Sequence, residues 1–291
     1  MSDSFPLRAV SAPNARPFGQ APWGRRLATL MLGLLLLAGP GLARAAGEPV
    51  TLGPAGHRTA GLAFRGAQAD GHPRLIVVLH GDAPQGPPSY QYAFAARAAA
   101  AAPDAVVLAL LRPGYADPQG RRSDGDRGIT DGDNYTADRL DQLAAAIKEA
   151  QARYHARETI LVGHSGGAAS SALLMARRPE LARRALLVSC PCDLGAWRRH
   201  MLVQQKNPVW LLPVHSLSPA DLAPRLAPSA RIALLVGAED EVAPPALDRA
   251  FLAAARRSNA RVTLTVVPGV GHEMLLDPVV ISALGALLRA P

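Results

Sequence analysis

Charge is scarce in this chain of 291 residues: Asp, Glu, Lys and Arg make up 19% of it against 49% hydrophobic residues. That balance excludes global disorder, because enough apolar surface is present to form a core. Aromatic residues are scarcer still, at 4%. The formal net charge is +8, but the arginines stand in scattered pairs such as Arg121-Arg122, Arg183-Arg184 and Arg256-Arg257. No dense basic tract interleaved with aromatics is present of the kind that follows a nucleic-acid backbone, so no nucleic-acid partner is expected. No internal repeat is present, and no apolar run reaches the roughly 20 residues that a spanning helix needs. There are only two cysteines, Cys190 and Cys192, on either side of Pro191. Their spacing is not that of a redox pair, which has two intervening residues. In an oxidising compartment they can form a disulfide, although a bridge across one residue is strained; two reduced thiols packed near the site are the alternative, and the sequence leaves both open.

The amino terminus reads as a leader over residues 1–46. Arg25 and Arg26 precede an apolar run over 27–38, and Gly39-Pro40-Gly41 and a small-residue Ala43-Arg44-Ala45 site follow. The expectation is export to the periplasm or the exterior, with cleavage after Ala45 or Ala46. An uncleaved anchor, and so a membrane contact through the leader alone, is the alternative. The arginine pair suits either a general positive region or twin-arginine export. The segment through Ala45 carries five arginines and Asp3, which leaves +4 on the remainder.

Beyond the leader, short β-branched or leucine-rich runs alternate with alanine-rich segments at helical spacing, the pattern of β-α units that build a parallel sheet. Strands are predicted at 75–79, 105–111, 159–162, 185–189, 231–236 and 262–267, and helices at 88–102, 136–154, 165–177, 245–257 and 273–288. A weaker strand at 58–64 is expected to pair antiparallel at the sheet edge. Two insertions interrupt the alternation. The first, 112–135, is rich in Gly, Asp and Pro and follows a strand, which puts it on the carboxyl edge where such sheets bind ligands. The second, 193–229, holds Trp197, Trp210 and several prolines without a clean helical period, and is expected to form a small cap over the same edge.

The segment Gly163-His164-Ser165-Gly166-Gly167 joins an apolar strand to an alanine-rich helix. A serine on so sharp a turn tolerates only small neighbours, which Gly163 and Gly167 supply, and the helix that follows aims its amides and positive end at the reacting oxygen. A serine hydroxyl needs a base, and the base needs a group to orient it. Asp240, in an acidic turn after one later strand, and His272, in a glycine-rich loop after the next, supply both in the order serine, acid, histidine. Glu239 and Glu241 flank Asp240 and are its competitors for the acid. His80 and His164 read as packed supports. In the early turn His80-Gly81-Asp82, the Asp82 amide can join the Gly166 amide as a pair of oxyanion donors. The acidic loop around Asp124, Asp126, Asp131 and Asp133 lacks the calcium-loop spacing with its distal Glu, and reads as a polar loop bonded to its own backbone. No metal and no cofactor is expected.

These four motifs, in this order and context, resemble the α/β-hydrolase superfamily, within it the esterase and prolyl-oligopeptidase-like serine hydrolases, over residues from about His57 to Pro291. Related dienelactone-hydrolase-like chains carry cysteine at the elbow, where this chain has serine. The resemblance implies an α/β-hydrolase fold, a mostly parallel twisted sheet with helices on both faces and a small cap insertion, as one catalytic domain over 47–291. It also implies hydrolysis of a small-molecule ester or short peptide through an acyl-serine intermediate. The alternatives are a prolyl-oligopeptidase-like peptidase, or a binding protein that keeps the fold without turnover.

Overall fold

The structure, a computed structural model, describes residues 47–290. The leader expected over 1–46 lies outside the described residues. In chain order the strands are β1 (Glu48–Leu52), β2 (Thr59–Arg65), β3 (Arg74–Leu79), β4 (Ala105–Leu110), β5 (Glu158–His164), β6 (Arg184–Val188), β7 (Arg231–Gly237) and β8 (Arg261–Val267). The helices are α1 (Tyr90–Ala101), α2 (Ala137–Arg153), α3 (Gly166–Arg177), α4 (Leu194–Gln205), the single turn α5 (Pro219–Leu222), α6 (Pro245–Ala255) and α7 (Pro278–Arg289).

The strands form one sheet in the order β1-β2-β4-β3-β5-β6-β7-β8. From β3 to β8 every pairing is parallel, as buried β-α units require, whereas β2 pairs antiparallel with both β1 and β4. The segment expected at the edge, 58–64, is therefore one strand in from it. The edge is β1, whose residues alternate between exposed and buried without an apolar run to announce them.

The sheet is buried on both faces, so its central strands are continuously apolar. Leu75, Val77 and Leu79 of β3 join one core cluster with residues of α2, α3 and α6, while Ile76 and Val78 join a second with residues of α1 and α7. Because β4 lies on one side of β3 and β5 on the other, the chain reverses its direction of travel across the sheet at β3. Leu79 and Gly163 are register partners there. The turns after β3 and β5 therefore leave the carboxyl edge side by side, at the switch point where α/β sheets open a crevice.

Two helices differ from expectation. The second insertion contains α4, whose buried positions Leu194, Trp197, Arg198 and Met201 do follow a helical period; an arginine among them hides the pattern. The final helix starts at Pro278 and not at Glu273, because Asp277 accepts from the Val279 amide as its cap and Pro278 occupies the first helical position. Among the described residues, no helix is long and apolar enough to cross a membrane.

Candidate active site

Ser165 sits between β5 and α3 with φ 52° and ψ −122°, a backbone conformation that L-residues rarely adopt. It is held there from both ends: its amide donates to the Val188 carbonyl at 2.8 Å, and its carbonyl accepts from the amides of Ala168 and Ala169. The flanking glycines are sterically required. A Cβ on Gly163 would strike the Gly167 carbonyl oxygen, and one on Gly167 would strike the Leu79 carbonyl oxygen. Gly166 has the same constraint for another reason, since a Cβ there would meet the Asp82 carboxylate and, at 2.7 Å, the Tyr135 hydroxyl.

The acidic turn and the glycine-rich loop converge. His272 Nδ1 lies 3.0 Å from both oxygens of Asp240. A carboxylate accepts, so Nδ1 carries the proton and Nε2 is left bare, the tautomer a general base needs. Asp240 is fully buried in side chain and its Oδ1 also accepts the amides of Val242 and Ala243 at 3.0 and 2.7 Å, bonds that fix the carboxylate in place. Glu239 and Glu241 are exposed.

A hydrogen-bonded chain runs from the histidine loop to the loop after β3. His164 Nε2 lies 2.9 Å from the His272 carbonyl, which can only accept, so the His164 proton is on Nε2. Burial, reinforced by the nearby His272, lowers the His164 pKa to about 4, so at neutral pH its Nδ1 is bare. That nitrogen accepts the Tyr90 hydroxyl at 2.8 Å, and the Tyr90 oxygen accepts the Gly81 amide at 2.6 Å. Burial raises the Tyr90 pKa, which keeps the phenol protonated.

Asp82 adds a feature that the sequence does not announce. Its carboxylate bonds Arg112, the Tyr135 hydroxyl at 2.5 Å and the Gly132 amide at 2.9 Å. Arg112 is wholly buried, and donates also to the Gly81 carbonyl and the Tyr115 hydroxyl at 3.2 and 3.0 Å. Its Nε and Nη1 find no partner among the described residues. Arg112 and Tyr135 are the two ends of the first insertion, so the insertion is stapled at its base to the loop after β3. His80 completes the network: Nδ1 donates to the Gly81 carbonyl at 2.7 Å and Nε2 accepts the Arg112 amide at 3.0 Å, and burial, then Arg112, lowers its pKa well below 6.5. The amides of Asp82 and Gly166 donate to no acceptor among the described residues.

A cleft of about 510 Å³ opens over these groups, lined by Gly81, Asp82, Ser165 and His272 and by Trp197 and Trp210 of the cap. The tryptophans meet edge to face at 5.1 Å, and the Trp197 indole donates to the Val242 carbonyl at 2.9 Å, tying the cap to the turn that carries Asp240. A larger concavity, about 650 Å³, lies at the opposite, amino edge of the sheet around Arg183, Arg231 and Arg261 and contains none of these residues. Cys190 and Cys192 form a disulfide just after β6, with Cα atoms 5.0 Å apart. In the first insertion, Asp124 accepts the Arg58 amide, Asp126 the Gly128 amide, and Asp133 the amides of Ile129 and His215. Among the described residues, no three His, Cys, Asp or Glu side chains are gathered as a metal would require.

This fold and site define a class, and the comparisons agree with it. The model of the Alpha/beta hydrolase family matches residues 76–284, and the chain belongs to that family of hydrolases. Among solved structures, a puromycin hydrolase superposes with a TM-score of 0.66 at 18% identity, over 83% of this chain and 39% of its own. An esterase from Pyrococcus furiosus does so with 0.62 at 16%, over 85% and 94%. An acylaminoacyl peptidase from Pyrococcus horikoshii gives 0.59 at 13%, over 79% and 38%. The chain thus spans under two-fifths of the length of the peptidase and of the puromycin hydrolase, and these likenesses establish the fold. No curated protein matches the chain.

Proposed function

We propose that the chain is a serine hydrolase that cleaves a carboxylic ester, or a short peptide or amide, with Ser165 as nucleophile, His272 as base and Asp240 as the group that orients it. The observation that carries this reading is the His272–Asp240 contact at 3.0 Å in the cleft that also holds Ser165. His272 Nε2 takes the proton of the Ser165 hydroxyl as the oxygen attacks the substrate carbonyl. The amides of Gly166 and Asp82 receive the oxyanion; a donor of this kind lowers the barrier by roughly 3–4 kcal/mol. On collapse the leaving alcohol or amine takes the proton from His272; water then gives a proton to His272 as it attacks the acyl-serine, and that proton passes to the Ser165 oxygen as the bond to the acyl group breaks and the acid leaves. Export rests on the leader motif alone, and the disulfide suits an oxidising compartment.

Labelling by a fluorophosphonate tests the reading. Wild type is expected to label and to hydrolyse short aryl esters, while Ser165→Ala does neither. A wild type that resists the probe, or a Ser165→Ala variant that labels equally, would leave a binding protein that has kept the fold.

A further inference from the structure

We propose that the cleft selects substrates that carry a positive charge, with an ammonium group seated against the Asp131 carboxylate beside Trp197 and Trp210. This rests on the serine hydrolase reading above and names its substrate class. The chain beyond the leader is basic, at +4, yet the wall of the cleft carries Asp82, Asp131 and Glu273 and no Lys or Arg, while Arg127 lines the adjoining cavity that Asp131 also lines. The faces of the aromatic rings on the same wall carry the negative potential that suits a cation, though the Trp210 ring already has the Arg198 guanidinium 5.4 Å from its centroid.

Asp131 is the uncommon member. It is half-buried, and among the described residues its carboxylate has neither a hydrogen bond nor an ion pair. The cations nearest to it are already engaged. Arg112 is held by Asp82, and Arg198 donates to the carbonyls of Asp131, Val209, Trp210 and Leu212. The Arg127 guanidinium lies over the Tyr115 ring at 4.9 Å. Asp124, Asp126 and Asp133 of the same insertion accept backbone amides; Asp131 accepts none. Burial, then the charge of Asp82, raises the Asp131 pKa to about 6, against the opposing pull of those three arginines. At neutral pH it is therefore a largely ionised carboxylate, partly withdrawn from water, with arginines in its neighbourhood but none in direct contact with it. A ligand cation that reaches it meets an attraction less screened than at the surface, and the carboxylate has no existing partner to lose.

The test uses the full chain and two fluorophosphonates that differ only at the end of the alkyl group, trimethylammonium in one and its neutral tert-butyl isostere in the other. The second-order rate of Ser165 labelling is expected to be about tenfold higher for the cationic probe, a modest gain for one partly screened charge pair. Asp131→Asn should bring the two rates to within about twofold of each other. In wild type the ratio of rates should climb as pH rises through about 6; any effect of pH on the reacting serine is common to both probes and cancels, and this arm needs no variant to fold. Equal rates in wild type, a ratio flat across that range, or a preference that Asp131→Asn leaves intact would overturn the proposal while the hydrolase reading stands. If neither probe labels Ser165, the hydrolase reading itself fails and takes the substrate class with it.

Discussion

Tyr90 touches two loops that must keep register if a serine is to be acylated. Its oxygen fixes the Gly81 amide and its proton fixes His164, which in turn holds the carbonyl of His272. Every donor and acceptor in that chain is forced, so the loss of one hydroxyl leaves the Gly81 N–H and the His164 Nδ1 unpaired at once. Tyr90→Phe keeps the ring, which stands edge-on to His164 at 5.3 Å, and removes the link alone. A positioning residue of this kind acts on the transition state more than on the bound substrate. The expected result is therefore a fall of about tenfold in kcat on an aryl ester with KM little changed, because misplacement by fractions of an ångström already weakens catalysis. Steady-state kinetics would decide it, and a rise in KM at constant kcat would mean that Tyr90 merely lines the cleft. Ser165, Asp240 and His272 were legible in the sequence because each follows a strand in a turn that only small or acidic neighbours allow. Tyr90, Arg112, Asp131 and Tyr135 were not. Tyr90 meets His164 across 74 positions and Asp82 meets Tyr135 across 53, and no local period records such a meeting.

The parallel strands β3 to β7 were readable because a strand buried on both faces must be apolar throughout, and runs such as Leu75 to Leu79 have no other use, while β8, half-exposed along its length, was readable from its β-branched residues. The strand β1 was not readable, since five residues with one face exposed resemble any loop. The helix α4 was hidden by Arg198, a charged residue at a buried position whose guanidinium is satisfied by four carbonyls outside its helix. The start of α7 was in fact announced by Asp277-Pro278, a cap followed by proline. A different anomaly sits in α6. Asp248 is wholly buried, and neither of its carboxylate oxygens has a partner among the described residues. Burial, then the charge of Asp240, raises its pKa well above 3.8. With the folded value above the unfolded one, its contribution is most favourable at low pH and is lost as pH rises towards the folded pKa. Asp248→Asn keeps the shape and removes the ionisation. It is expected to raise Tm by about 2–4 °C near pH 8 and by less near pH 5, a shift of the size that about 1 kcal/mol produces in a domain this large. Scanning calorimetry at the two pH values checks it; a lower Tm at both would show that the acid proton has a partner that Asn cannot replace.

For the molecule as a whole, the same residues that assemble the crevice make its stability depend on pH. The carboxyl ends of β3 and β5 each carry a buried neutral histidine, His80 just after β3 and His164 as the last residue of β5, at the centre of the sheet where the direction of travel reverses. The His164 pKa is about 4 in the folded state, lowered by burial and then by His272, against about 6.5 in an unfolded chain. A depressed folded value means that the unfolded chain takes up a proton the folded one refuses. The stability His164 contributes is therefore present above about pH 6.5 and is lost as pH falls towards 4. His80 acts in the same direction. Asp131 and Asp248, whose pKa values are raised, act in the opposite one, so the slope for the whole protein is a difference of unlike contributions. A comparison of variants isolates the histidine. In His164→Gln the other groups remain and cancel, while an amide that does not titrate stands where the imidazole did. The wild type should be the more stable near pH 7, and urea unfolding should show its advantage shrinking by about 2 kcal/mol by about pH 5, the linkage expected from a shift of this size. Protonation of His164 would also turn its Nδ1 from acceptor to donor and break its bond with the Tyr90 proton, so activity should fall over the same range for a reason separate from His272. Parallel stability curves for wild type and variant would mean that folding leaves the His164 pKa where it is in the unfolded chain, and the lowered value assigned to it would have to be given up.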